Sequence, residues 1–392
     1  MTSQRILTID IMRGLTLFLM LFVNDLYVDE VPSWLTHRPA GYDGMGLADW
    51  VFPGFLFMVG MAVPFAIQSR VRKGDSKGRI VYHILVRTIS LLIIGVLMLN
   101  VGRVNSELTG MNSNLWAILV YVCIFLIWNL YENIKPVYVR LLKGLGILGL
   151  IILLVLFKSG IPGEVTWLKT SWWGILGLIG WGYLVTSLVY LVLKENLLGT
   201  GLVWLAFVLI NILSQLGQLD FLNSIKPVFG VILGGNIPSI VMSGLFFSLF
   251  LQRFKTNPLS FVVLGTGIGI ACLLLGAVLR NWFIVSKIMG TPSWAMLCNG
   301  VSVLLFIVLY LFVDILRKKN WANVFKPAGQ NSLTTYLAPN IIYYSIWLSG
   351  IPVLFYKNSV YSIVVIFGSV VWAFFMIGFA ALLSKIGIRL KL

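Results

Sequence analysis

His37 lies in a short polar stretch ahead of Asp49, and the two could together handle a proton. Imidazole is the side chain that changes charge nearest neutral pH, so a histidine oriented by a carboxylate can accept a proton from an amine or hydroxyl. It can also carry an acyl group covalently. A lone loop histidine is more often solvated than catalytic, and Asp49, just before Val51-Phe52-Pro53-Gly54, could simply cap a helix. Asn24, upstream of His37, is a residue type that can donate a hydrogen bond to an oxyanion.

A second set of polar residues interrupts apolar sequence. At about 100° per residue, Asp10, Arg13 and Asn24 share one face of a first helix. The plain alternative for Asp10 and Arg13 is a structural pair sealing that helix against a neighbour. The stretch Arg70, Arg72, Lys73, Lys77, Arg79, followed by His83 and Arg87 four apart, has the chemistry to grip phosphates. Arg70, Arg72, Arg79, His83 and Arg87 are therefore candidate donor-binding residues, with snorkelling to anionic lipid as the rival reading. Later, Trp294, Asn299 and Ser302, then Gln330-Asn331-Ser332 and Tyr336, are polar or amphipathic in apolar surroundings. Pro339-Asn340 inside an apolar segment reads as an interrupted helix lining a cavity. Asp10, Arg13, Trp294, Asn299, Asn331, Ser332 and Asn340 are thus candidates for a substrate cavity.

The elements that must hold these residues are membrane spans. Of 392 residues, 59% are hydrophobic and 11% charged, with a mean hydropathy of +0.96. A soluble domain carries about 25% charged residues. A span needs about 20 mostly apolar residues, and that rule marks 6–27, 47–69, 80–101, 114–131, 139–158, 172–194, 199–216, 236–253, 258–280, 294–317, 331–349 and 359–385. The segments 199–216 (short) and 331–349 (polar at its start) are the weakest. The expectation is an all-α polytopic membrane helix bundle of 11–12 transmembrane helices, forming a single domain over 1–392.

The net charge of +16 points to topology and not to nucleic acid, because basic residues collect in cytoplasmic loops. Alternate connections hold eighteen and eight of the Lys and Arg residues. That bias places both termini in the cytoplasm and His37 outside. Asp10 and Arg13 interrupt the first apolar run, which reads as a permanent span and not a cleaved signal. Cys123, Cys272 and Cys298 sit in apolar runs and read as buried thiols, and no Cys/His cluster suggests a metal. No phosphate-binding glycine loop, GxSxG, HExxH or DxDxDG is present.

The run from Arg5 through Asp10, Arg13 and Gly14, then Phe22-Val23-Asn24, His37 and Ala48-Asp49-Trp50-Val51-Phe52-Pro53-Gly54, resembles the transmembrane heparan-α-glucosaminide N-acetyltransferase family. The late Trp294 and Asn331-Ser332 elements support the likeness. It implies acetyl-CoA as donor substrate, a small amino sugar as acceptor, and His37, Asp49 and Asn24 as catalytic residues. It also implies a multi-pass protein of the bacterial inner membrane, in contact with lipid, with a homodimer as the one protein partner left open. The stretch from His37 to Asp49 is longer than the family pattern, and the lumenal domain of the animal enzyme has no counterpart. The rival from another class is a secondary transporter for amino sugars such as N-acetylglucosamine, which the broken segments and intramembrane charge also suit.

Overall fold

Apolar runs of about twenty residues leave a chain in lipid one local solution, a helix that satisfies its own backbone. Each of the twelve apolar segments forms one. The computed structural model describes residues 6–26, 31–161 and 163–392. The helices are α1 (Leu7–Asp25), α2 (Leu47–Arg72), α3 (Lys77–Val101), a short α4 (Ser106–Thr109), α5 (Ser113–Trp128), α6 (Pro136–Leu156), α7 (Gly174–Leu193), α8 (Leu197–Gln215), a short α9 (Lys226–Leu233), α10 (Asn236–Arg253), α11 (Pro258–Leu279), α12 (Pro292–Tyr310, extended by one π-helical turn to Ile315), a short α13 (Lys326–Gln330), α14 (Ser332–Ser349) and α15 (Ser362–Lys385). A two-stranded hairpin, Ser159–Ile161 with Glu164–Thr166, is the only sheet among the described residues. The protein is an all-α polytopic bundle.

Among the described residues nine helices are long and apolar enough to cross a membrane, and α9 with α10, bent by 43°, would make a tenth. The difference from the expected 11–12 lies in α5, which has 16 residues, and in α14, whose Thr334, Thr335, Pro339 and Asn340 dilute its hydropathy. The segment 199–216, the shorter of the two weak candidates, forms the 19-residue α8 and qualifies. Helix starts follow the sequence: the side chains of Ser76, Asn112, Asn196 and Asn257 accept first-turn N–H groups of α3, α5, α8 and α11. Cys123, Cys272 and Cys298 are free and buried.

One prediction fails in detail. Helix α14 runs through Pro339 without a break. The Asn340 amide donates to the carbonyls of Tyr336 and Leu337 at 3.2 and 3.3 Å, bracing the helix next to the proline. Local side-chain bonding of this kind lets a membrane helix tolerate proline.

Helix α2 is the axis of the bundle. It packs against α1, α7, α10 and α12, while α6, α8 and α11 lie at the periphery and turn residues such as Leu141, Leu148, Val155, Leu205 and Val263 outward. The α2–α10 contact is backbone to backbone. A Cβ on Gly60 would fall 1.9 Å from the Val241 carbonyl oxygen, and one on Gly244 would fall 2.0 Å from that of Phe57. Gly60→Val must therefore push the two helices apart. The expected cost is about 3 kcal/mol or more, visible as a lower unfolding temperature and a smaller fraction of monodisperse protein after purification.

The bundle has two chemically different ends. One gathers Arg70, Arg72, the N-terminal turn of α1 and the chain's last residues, Leu390–Leu392. The other carries the 31–46 loop with His37 and the connection between α11 and α12.

Candidate functional site

Helix α2 begins where its first N–H groups find carbonyls of the preceding loop: Leu47 N–H donates to Trp34 at 2.7 Å and Ala48 N–H to Leu35 at 3.2 Å. That pairing folds the loop back over the helix start and lays His37 beside Asp49. The Asp49 Oδ1 lies 2.8 Å from His37 Nδ1, while Oδ2 accepts the backbone N–H groups of Arg38 (3.1 Å) and Gly46 (3.0 Å). The Asp49 side chain is 1% exposed and that of His37 50%. A buried carboxylate thus orients a half-open imidazole. Two backbone donors on Oδ2 stabilise the ionised carboxylate, so Oδ1 calls for a proton on Nδ1. The lone pair is then on Nε2, which has no hydrogen-bond partner among the described residues.

The proline of the motif has a specific role here. Pro53 has no N–H to give the carbonyl four residues earlier, which is that of Asp49. The indole Nε1–H of Trp294, at the start of α12, takes that carbonyl at 3.2 Å. Trp294 is therefore tied to the site through the Asp49 backbone. Ser302, one face further along α12, accepts from Trp50 Nε1 at 3.1 Å. Asn299 is buried and accepts from Ser243 at 2.9 Å, bracing α12 against α10 away from His37.

Sequence reasoning did not find Lys287. Its Nζ lies 3.2 Å from His37 Nδ1 and donates to the Ala48 carbonyl at 3.1 Å. The α11–α12 connection is strapped to the His37 loop by Asp43, which accepts Val285 N–H and Arg280 Nε, each at 2.8 Å, and by Ser286 Oγ donating to Ala40. The Val285 N–H and the Arg280 guanidinium hold the Asp43 carboxyl below its ordinary value. Burial pulls the Lys287 amine below its ordinary value, and the Asp49 charge partly offsets this. Its one sequence signal is that it sits three residues before the Gly290–Trp294 motif, on the side depleted of basic residues.

A second missed residue is Asp25, next to Asn24. Asn24 is exposed on the last turn of α1 and makes no hydrogen bond among the described residues. Asp25 is fully buried, accepts the hydroxyls of Tyr343 and Tyr356 (the latter at 2.5 Å), and pairs with Lys357 Nζ at 2.8 Å.

Toward the other end, a cavity of about 360 Å³ is lined by Arg13, Arg70, His83, Arg87, Asn331 and Ser332, with apolar walls from α1, α2, α3 and α7. Arg13 pairs with Asp10 at 3.5 Å, Arg70 with Asp75 at 3.1 Å, and Arg87 stacks on Tyr183 at 4.7 Å. Along α2 the cavity climbs from Arg70 to Phe55, about 9 Å of helix rise short of Asp49. Arg72 faces a different, wider cavity, and Arg79 pairs with Asp75 at 3.6 Å, so neither joins this group. Asn340 faces its own backbone. Among the described residues no group of three or more His, Cys, Asp or Glu could hold a metal ion.

Two curated proteins are similar to part of this chain. Human heparan-alpha-glucosaminide N-acetyltransferase is 34% identical over 96 residues, 24% of this chain. The mouse protein of the same name is 33% identical over 99 residues, 25% of this chain. In both cases the matched stretch spans about 14% of the relative's length. The model of the DUF5009 family, described as a domain of unknown function, matches residues 5–226, which contain α1 to α8, His37, Asp49 and the Arg13, Arg70, His83 and Arg87 of the 360 Å³ cavity. With more than half its length matched, the chain belongs to the DUF5009 family.

Proposed function

We propose that this protein is a membrane acyltransferase that moves an acetyl group from acetyl-CoA to the amine of a glucosamine-type sugar. The observation that carries this reading is the buried Asp49 holding one nitrogen of a half-exposed His37 and leaving the other free. Supporting it are the cavity that begins among Arg13, Arg70, His83 and Arg87 and climbs toward that pair, and the likeness to two proteins named as N-acetyltransferases.

In this reading Arg70, His83 and Arg87 hold the phosphates of the donor, and the pantetheine arm follows α2 toward His37. The acceptor amine attacks the thioester carbonyl carbon, forming the C–N bond while His37 Nε2 takes the amine proton. The C–S bond breaks, and the imidazolium returns that proton to the departing thiolate. Asn24, at the end of α1, is the proposed donor to the oxyanion. Arg13 with Asp10, and Asn331 with Ser332, shape the cavity. The excess of basic residues at the Arg70 end puts that end in the cytoplasm and His37 outside. The membrane is then a bacterial inner membrane.

The test uses purified protein in sealed liposomes with labelled acetyl-CoA on one side and glucosamine on the other. Labelled N-acetylglucosamine is expected from the wild type, and His37→Ala should lose at least ~10²-fold in kcat while remaining folded. Sugar crossing the bilayer without acetylation would replace this reading with transport. On the donor side, Arg87→Ala should raise the KM for acetyl-CoA about tenfold with little change in kcat, as expected for losing one charge-assisted phosphate contact. An unchanged KM would remove Arg87 from the donor site.

A further inference from the structure

We infer that Lys287 is a positioning residue for His37, its ammonium set against the Asp49 carboxylate so that the imidazole rests neutral and competent as a base. The inference rests on the acyltransferase reading for its catalytic meaning, and on geometry for its substance. The Nδ1 atom can either carry a proton or offer a lone pair. Asp49 Oδ1 at 2.8 Å and Lys287 Nζ at 3.2 Å both address it. With Oδ2 filled by two backbone N–H groups, the carboxylate keeps its charge and takes the Nδ1 proton. Lys287 then has no acceptor on the ring. Its hydrogen bond goes to the Ala48 carbonyl at 3.1 Å, and what it brings to the imidazole is charge.

That charge matters because a carboxylate alone would favour the imidazolium. An imidazolium at rest cannot accept the amine proton. A cation at comparable distance on the same nitrogen offsets the carboxylate's pull on a second ring proton. Once Nε2 has taken the amine proton, the same cation repels the imidazolium and favours handing the proton to the leaving thiolate. Among the described residues no other charge near the ring does this. Arg38, adjacent in the chain, stacks over Tyr42 at 4.7 Å, and Asp43 and Arg280 neutralise each other at 2.8 Å. Cys298, behind Lys287, is a buried thiol.

The experiment has two arms. Lys287→Met removes the charge and keeps the stem, Lys287→Gln keeps a donor for Ala48, and Lys287→Arg keeps the cation. In the transferase assay the acid limb of kcat/KM should move to higher pH by roughly one unit in the Met and Gln variants, a tenfold loss below the limb. The KM for acetyl-CoA should be unchanged, and Arg should restore the limb. The second arm needs no turnover. The chain has two histidines, His37 and His83, so His83→Gln leaves one imidazole for histidine-selective NMR in nanodiscs. Its titration should move to higher pH when Lys287 loses its charge. A titration and pH limb that stay in place in folded Met or Gln variants would overturn the role of Lys287. A titration that moves, with no transferase activity in the protein that keeps His83, would uphold the charge setting and overturn the acyltransferase reading.

Discussion

Asp49→Asn is expected to lower turnover by roughly 10³-fold or more while the protein stays folded and inserted. The carboxamide is isosteric, and its oxygen can still accept the N–H groups of Arg38 and Gly46, which now hold Oδ2 at 3.1 and 3.0 Å. Its NH₂ then faces His37 Nδ1, which sits 2.8 Å from Oδ1. Two donors cannot share that contact, so Nδ1 becomes the acceptor and the proton moves to Nε2. The imidazole keeps its place and loses its lone pair on the side where an acceptor amine would arrive. The loss should fall on kcat, with the KM for acetyl-CoA near the wild-type value. Asp49→Ala is a different experiment. It strips two backbone donors of their partner at the start of α2 and should cost stability as well. Full activity in Asp49→Asn would mean that the His37 tautomer is irrelevant to the reaction.

The second large effect is on stability. Asp25→Ala should destabilise the bundle by about 3 kcal/mol or more, because it leaves a cation and two phenols without their shared acceptor. The Asp25 side chain is fully buried and Lys357 is 23% exposed, so the lysine can recover some hydration and the lower part of the usual range applies. The cluster ties the end of α1 to α14 and to the turn at Phe355–Asn358, at the end of the bundle that carries His37. A thermal-unfolding series in nanodiscs with Asp25→Asn, Lys357→Met and the double variant separates the pair from its parts. The double variant should be more stable than the sum of the single losses predicts. Additive losses would mean that Asp25 and Lys357 do not act as a pair.

Much of the candidate site was legible because its parts lie close together in the chain. His37 and Asp49 belong to one loop and the helix it enters, and their pairing needs only that helix start. Asp10 with Arg13, and His83 with Arg87, follow from helical spacing, and Arg13, His83 and Arg87 line the same cavity. Trp294 was visible as a motif, but its reason was not. The Asp49 carbonyl that Pro53 leaves unpaired is the acceptor that the indole fills across 245 residues. Asn299 was read as a cavity residue from its polarity and Asn340 from an expected break at Pro339; packing gave Asn299 a partner on α10, and Asn340 bonds its own helix instead.

Lys287 and Lys357 share a property that could have singled them out. Both belong to the eight basic residues on the side that the charge bias depletes. A cation kept there against the bias is kept by something specific. The sequence could not name the partners, since they lie 250 and 332 positions away in the chain.

By itself the sequence determined that this protein crosses a membrane repeatedly as helices, which ends are basic, and that His37 and Asp49 could handle a proton. Those properties follow from hydropathy, spacing and side-chain chemistry, which are local. Only the tertiary structure decided which polar residues share a cavity, that Lys287 addresses the same imidazole nitrogen as Asp49, and that Asp25 rather than its neighbour Asn24 is sealed in the bundle. Those are outcomes of how helices far apart in sequence pack against α1 and α2. A one-residue step on a helix turns a side chain by about 100°, enough to move it from the interior to the surface.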